Sequence, residues 1–347
     1  MKHTKSKPSS AREKLPRFNH YVPQFILRRF AHAGKICIFD KHTKQEFKLP
    51  TDRAMGEKDY NNVHFNDAVV SFENKFTHVE NIAAPIIAKI IGAKNIDFLT
   101  PTDTAALHCF LIVQYMRSKS RRLDQDAIMK EIRRRWPEAP VNPQPDLISD
   151  FELTKYSALQ MTFNKMEDLV KPLVFKHMFL MVRDCKEEVY ISDNPLVMHN
   201  QNDFGPYGNI GIAVPGIEIY YPLSPDLVLA LICPTSLQTI EEAQREAEKT
   251  VSSYFASKVI SAVGISQNEM ATWERHRNEI RRSKDYYRLM KDKRLVPMDS
   301  KNLLFLNSLQ LSSSHRFIAA IKSDFHFARK ALAERPHWKE GIRLKVA

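Results

Sequence analysis

A segment from Thr104 to about Lys119 is apolar nearly all the way round when wound as a helix. Leu107, Phe110, Leu111, Ile112, Val113, Tyr115 and Met116 leave it no broad polar face, so it has to be covered on every side. The rest of the chain must therefore wrap around it. Its start is marked by Thr100-Pro101-Thr102-Asp103, a Thr cap followed by Pro in the first turn. Two polar residues break the apolar surface, Gln114 and Arg117, which are three apart and share a face. A buried guanidinium needs a carboxylate, because leaving it unpaired costs several kcal/mol. Glu80 or Asp193 is the expected partner.

The rest of the pattern predicts an α+β fold, predominantly helical with a modest antiparallel sheet from the middle of the chain. Only 9 of 347 residues are glycine, well under the usual ~7%. That disfavours tight hairpins and Gly-rich phosphate loops. Lys35–Asp40 and Glu46–Leu49 read as a small hairpin. From Asp67 to Lys94, Phe72, Phe76, Val79, Ala83, Ile86, Ile87 and Ile90 recur at helical spacing. Glu73 and Glu80 lie seven apart on that helix and point the same way. Helices are expected over Ala127–Trp136, Phe151–Phe163, Glu241–Ser257 and Glu269–Arg294. Lys301–Ala333 reads as one long helix or two. Strands are expected at His177–Arg183, Glu188–Ile191, Ile217–Leu223 and Asp226–Cys233. Strands and helices do not alternate regularly, which argues against a doubly wound sheet.

Residues 1–17 read as a disordered basic arm. Residues 18–333 read as one domain carrying a charged helical insertion at about 235–295, and 334–347 as a tail. The arm has no apolar core of a secretory signal. No apolar run reaches the ~18 residues of a membrane span. Cys37, Cys109, Cys185 and Cys233 are far apart and form no CxxC pair, so they read as small buried hydrophobes in a reducing compartment. A cytoplasmic protein with no membrane partner is the expectation. The formal charge of +12 points to a polyanionic partner, nucleic acid above all.

His20-Tyr21-Val22-Pro23-Gln24-Phe25-Ile26-Leu27-Arg28-Arg29-Phe30 packs an imidazole, three rings and two guanidiniums into eleven residues. This stretch resembles the hallmark of the domain of unknown function 4238 family: His-Tyr-Val-Pro, three residues, then Leu-Arg and an aromatic two residues on. Further segments also resemble it, in family order: FENKFTHVENIAAPIIAKI, FLIVQYMRSKSRR, YISDNPLVMHN, YYPLSPDLVLAL and LNSLQLSSSHRFIA. The resemblance implies no chemistry. It marks positions to watch, His20, Arg28, Glu73, Glu80, Gln114, Arg117, Asp193 and Arg316, and its last segment also carries Asn307 and Gln310. The charged stretch at about 235–295 departs from it.

If His20, Glu80, Gln114, Arg117 and Asp193 converge, they hold the equipment for phosphodiester cleavage. Glu80 and Asp193 would hold Mg²⁺ or Mn²⁺, His20 would act as general base or acid, and arginine would neutralise the developing phosphorane charge. Each has a plainer reading. His20 is also suited to ordering the chain before the first helix, Asp193 in Ser-Asp-Asn-Pro is a turn residue, and Glu73 suits a solvated helix face. HExxH, Gly-x-Ser-x-Gly, Walker A and Rossmann patterns are absent from the sequence.

Arg277, Arg281, Lys284, Arg288 and Lys291 recur at three- and four-residue spacing, with Trp273, Tyr286 and Tyr287 among them. Such a stripe suits phosphate neutralisation and base stacking. Two functions follow as expectations: a metal-dependent nuclease of bacterial defence or toxin action, or a non-catalytic nucleic-acid-binding or regulatory protein using residues 269–294. A third is a sensor or hydrolase for a small phosphorylated ligand held between helices and sheet.

Overall fold

The computed structural model describes residues 18–137, 148–202, 210–260 and 266–341. The expected basic arm at 1–17 lies outside them. The chain opens with β1 (Phe18–His20), the single turn α1 (Gln24–Leu27) and a 3-10 turn at Arg28–Phe30. Then come β2 (Ala31–His32), β3 (Lys35–Asp40), β4 (Glu46–Pro50), β5 (Gly56–Lys58), β6 (Asn62–His64) and β7 (Val69–Ser71). Helices α2 (Glu73–Ala93), α3 (Pro101–Arg117), α4 (Lys119–Arg135), α5 (Asp150–Asn164) and α6 (Met166–Val174) follow. The middle of the chain gives β8 (His177–Arg183), β9 (Ile191–Ser192), β10 (Val197–His199), β11 (Glu218–Ser224) and β12 (Leu227–Ile232). It ends with α7 (Pro234–Ile260), α8 (Gln267–Lys291), β13 (Val296–Met298), α9 (Ser300–Ser313), β14 (Phe317–Ala320) and α10 (His326–Glu334).

The fold is α+β, with α3 at its centre. Leu107, Phe110, Leu111, Ile112 and Val113 have no exposed surface. Thr100 and Asp103 cap the helix reciprocally: Asp103 N donates to Thr100 Oγ1 at 3.1 Å and Thr100 N to Asp103 Oδ2 at 3.0 Å. One side of α3 packs on α2 and α6 and another on the main sheet, where Phe110 meets Tyr221 edge-on at 5.6 Å.

The main sheet runs β10-β11-β12-β8-β13. It is antiparallel except that β13 lies parallel to β8. β11 and β12 are buried at every position but Asp226 between them. Both faces are covered, so β12 reads as an unbroken apolar run, and the buried Glu218 of β11 accepts a hydrogen bond from Tyr220 Oη at 2.9 Å. Ile219, Tyr221, Leu229 and Leu231 join the core around α3, while Tyr220, Val228, Ala230 and Ile232 pack with Leu303 and Leu306 of α9.

The second sheet, β2-β3-β14-β9 with β4 on the other edge of β3, unites both ends of the chain. It shows where the local pattern misleads. Of the one long helix or two expected over Lys301–Ala333, two form: α9 stops at Ser313, α10 begins at His326, and residues 317–320 between them extend antiparallel to β3. The backbone N–H groups of residues 315–317 are claimed by Asp193 and are lost to a helix. Within the expected strand Glu188–Ile191 only Ile191 pairs, as part of β9. The helix expected from Asp67 begins at Glu73, after β7. The described part of the expected tail is docked: Trp338 is buried and its carbonyl accepts a hydrogen bond from Lys41 Nζ at 2.7 Å.

Candidate functional site

Gln114 and Arg117 point towards the opening segment of the chain. Gln114 Nε2 donates to the Tyr21 carbonyl at 2.8 Å, so the amide ties the His-Tyr-Val-Pro stretch to α3. Arg117 Nη1 pairs with Glu80 Oε1 at 2.6 Å, and its Nη2 donates to Gln114 Oε1 at 3.4 Å. Of the two carboxylates proposed for this guanidinium, Glu80 is the partner. The Arg117 side chain is 2% exposed and that of Glu80 22%. The Arg117 carbonyl accepts from Tyr60 Oη at 2.7 Å, and the guanidinium lies 5.3 Å from the Phe76 ring.

His20 stands beside this pair. Its Nε2 is 3.3 Å from the Thr51 carbonyl, so that nitrogen carries the proton. Burial holds the imidazole below its ordinary pKa; Arg117 adds to the effect, while the Thr51 contact, Glu80 and Asp52 oppose it. Glu73 is not a solvated residue. It is partly buried, accepts from Asn61 Nδ2 at 2.7 Å, and burial raises its pKa against that bond and the field of Arg117. The expectation failed because Asn19 of β1 and Asn61, next to β6, both reach its carboxylate. Arg122 continues the network, donating to Asn61 Oδ1 at 2.7 Å and stacking 3.6 Å over Tyr60.

Two atoms in this cluster are buried with no hydrogen-bond partner among the described residues, Arg117 Nε and the Tyr221 hydroxyl. Tyr221 has no exposed surface, and the charges of Arg117 and Glu80 both reach it. Sequence reasoning did not single it out. The signal was present: in an otherwise apolar strand, period two places this phenol on the face of Ile219 and Leu223, against α3.

Asp193 does a different job. It is fully buried, and its carboxylate accepts from the backbone N–H groups of His315 at 2.7 Å, Arg316 at 2.6 Å and Phe317 at 2.8 Å. Burial raises its pKa, opposed by these donors and by Lys41. Three further residues of the motif segments work alongside. Asn307 Oδ1 accepts from Tyr190 N at 2.8 Å and its Nδ2 donates to the Glu188 carbonyl at 2.8 Å. Gln310 Nε2 donates to the Pro195 carbonyl at 2.8 Å while its Oε1 accepts from Ser192 Oγ at 2.7 Å. Arg316 pairs with Asp40 at 2.7 Å. Together they fasten the Ser-Asp-Asn-Pro turn to α9 and β14.

Glu80 is thus committed to a guanidinium and Asp193 to three amides. That arrangement does not fit one divalent cation held by both. Among the described residues, no three His, Cys, Asp or Glu side chains gather as a metal ion would need. Arg28, marked by the same motif, is exposed and bonds to Gln24 one turn earlier.

The charged stretch forms a helical hairpin of α7 against α8. No residue of α8 is fully buried. Two basic residues of the expected stripe are internally neutralised, Lys284 by Glu248 at 2.5 Å and Arg288 by Asp285 at 3.0 Å. Lys291 lies 5.7 Å over the Tyr287 ring. Arg277 and Arg281 form no ion pair among the described residues and are exposed. They line a groove of about 970 Å³ with Phe255, Trp273 and Lys284, and Arg277 stands 5.2 Å over the Trp273 ring.

A family model described as "Protein of unknown function (DUF4238)" matches residues 19–324. No curated protein matches the chain, and no solved structure does.

Proposed function

This chain belongs to the DUF4238 family, whose description carries no activity, and we therefore infer its function from the surface it presents: it binds nucleic acid along the α7–α8 hairpin. The observation that carries this reading is the groove where Arg277 and Arg281, one turn apart and without acid partners among the described residues, flank Trp273 and Phe255. Guanidiniums one turn apart match backbone phosphates, and the half-buried Trp273 ring, stacked at 4.7 Å on Phe255 at the groove's side, gives a base an aromatic edge to pack against. Lys284, Arg288 and Lys291 extend the stripe, but the first two are already paired and add less. The formal charge of +12 supports the same partner, and a cytoplasmic setting goes with it.

Salt-titrated binding of fluorescent single-stranded DNA and RNA tests this. For Arg277→Gln/Arg281→Gln, the slope of log K against log salt should flatten by roughly 0.7–0.9 for each phosphate the variant no longer neutralises. Trp273→Ala should weaken binding at every salt concentration. An unchanged slope in the double variant removes the hairpin from the interface.

A second reading, a nuclease of bacterial defence or toxin action, is favoured by one observation. His20, with its lowered pKa, and the carboxylates Glu73 and Glu80 surround Arg117 beside an unpartnered Tyr221 hydroxyl. In that reading His20 handles the proton and Arg117 neutralises phosphorane charge, with Gln114 positioning the loop. Mg²⁺ or Mn²⁺ enters only if Glu80 leaves Arg117. Incubation of plasmid and total RNA with the protein and either ion, beside Glu80→Ala and Asp193→Ala, decides it. Intact substrates with the wild type refute the nuclease.

A further inference from the structure

We propose that the cavity bounded by α3, the end of α6, the start of β8 and the turn after α8 binds the phosphate group of a small phosphate monoester. The cavity measures about 370 Å³, within the range of small-ligand pockets, and lies away from the Arg117 cluster. Its polar lining is Asp97, Thr104, His108, Lys176, His177 and Lys293.

His108 carries the argument. It sits on the central helix α3, is 4% exposed, lines the cavity, and has no hydrogen-bond partner among the described residues. The ring is not sealed, and the cavity it lines is where a ligand can supply a partner. Lys176 and Lys293 form no ion pair among the described residues; Lys176 Nζ donates instead to the Cys233 thiol at 3.1 Å. His177 Nε2 lies 2.6 Å from the Met290 carbonyl and so carries its proton there, leaving Nδ1 as the ring's other polar atom. Thr104 adds a hydroxyl. Against two ammonium groups stands one carboxylate, Asp97, which is exposed at the rim.

Two ammoniums, the His108 imidazole and a hydroxyl exceed what a carboxylate's two oxygens can use, while His177, its proton held on Nε2, donates from Nδ1 only as the imidazolium. They match three terminal phosphate oxygens bearing up to two negative charges. The volume left beyond a phosphate accommodates a sugar-sized group against the apolar wall of Ile96, Leu99 and Val174. Binding would draw a proton onto His108, whose pKa burial lowers in the free protein. Affinity therefore gains from His108 as pH falls towards about 6, where the phosphate itself begins to lose its second charge; Lys176, Lys293, His177 and Asp97 are the other charged or titratable groups lining the cavity.

Calorimetric titration of the full chain with inorganic phosphate, ribose 5-phosphate and ribose tests the proposal. Ribose 5-phosphate should bind at least as tightly as inorganic phosphate, and ribose should not bind. Lys176→Met and Lys293→Met should each weaken ribose 5-phosphate by about tenfold or more. His108→Gln should flatten the pH dependence. Lys293 is exposed, so its variant keeps the fold even if the buried histidine variant does not. Failure of both phosphates to bind at millimolar concentration, equal binding of ribose, or unchanged affinity in both lysine variants overturns it. A hairpin lacking Arg277 and Arg281 should leave phosphate binding untouched, so this site and the nucleic-acid reading stand or fall separately.

Discussion

If Arg117 and Glu80 form a clamp, removing either one should cost unequal amounts. Arg117 is the sealed member at 2% exposure, while Glu80 keeps 22%. In Glu80→Ala the guanidinium stays buried, with Gln114 Oε1 at 3.4 Å as its remaining side-chain acceptor. Breaking a buried pair from that side costs about 3–5 kcal/mol. In Arg117→Met the apolar stem is retained and Glu80 can turn to water. The losses are then the Gln114 bond and the Phe76 ring interaction, about 1–2 kcal/mol together. The double variant Arg117→Met/Glu80→Ala should resemble Arg117→Met alone, giving a coupling of about 3–5 kcal/mol. Urea unfolding followed by tryptophan fluorescence measures all three, with midpoints converted at a common slope. Should Glu80→Ala destabilise no more than Arg117→Met, or the double variant lose the sum of both, Glu80 is not there to neutralise Arg117 and the clamp is wrong.

Asp193→Asn should destabilise by about 3 kcal/mol or more, because one amide oxygen cannot serve three buried N–H donors; amide exchange in β14 should accelerate first. Stability should rise with pH across two windows. Burial holds His20 and His108 below their ordinary 6.5, so the unfolded chain binds more protons there, and stability is full above about 6.5 and falls as pH drops below it. Asp40 resists protonation: burial opposes its charge, but Arg316 and the His42 amide hold its pKa low. Its contribution is present above about pH 4 and lost as pH falls further. Urea midpoints from about pH 3 to about pH 8 read both limbs, and Arg316→Leu should shrink the acid limb alone. Amides of α7 and α8 should exchange far faster than those of β11 and β12, since α8 buries no residue and both strands are covered on both faces. Equal protection would refute this contrast in burial.

Where a residue's fate depends on its near neighbours in the chain, the sequence was decisive. The all-round apolar character of Thr104–Lys119 required a central helix, its Thr-Pro-x-Asp start set the cap, and the alternation at Lys35–Asp40 and Glu46–Leu49 set a hairpin. A guanidinium on that helix demanded a carboxylate, and Glu80 on the neighbouring helix supplies it. Tertiary structure decided what depends on partners hundreds of residues away. Phe317–Ala320 is helical by pattern yet extended in fact, because Asp193 holds the preceding amides and β3 offers a free edge. Asp193 itself could have been a ligand or a turn; three amides from another part of the chain made it an anchor. His108 was not singled out in the sequence; folding places its ring in the lining of a cavity with two lysines distant in the chain. Burial and charge pairing are properties of assembled surfaces, and a linear pattern specifies which groups need partners without saying which partners arrive.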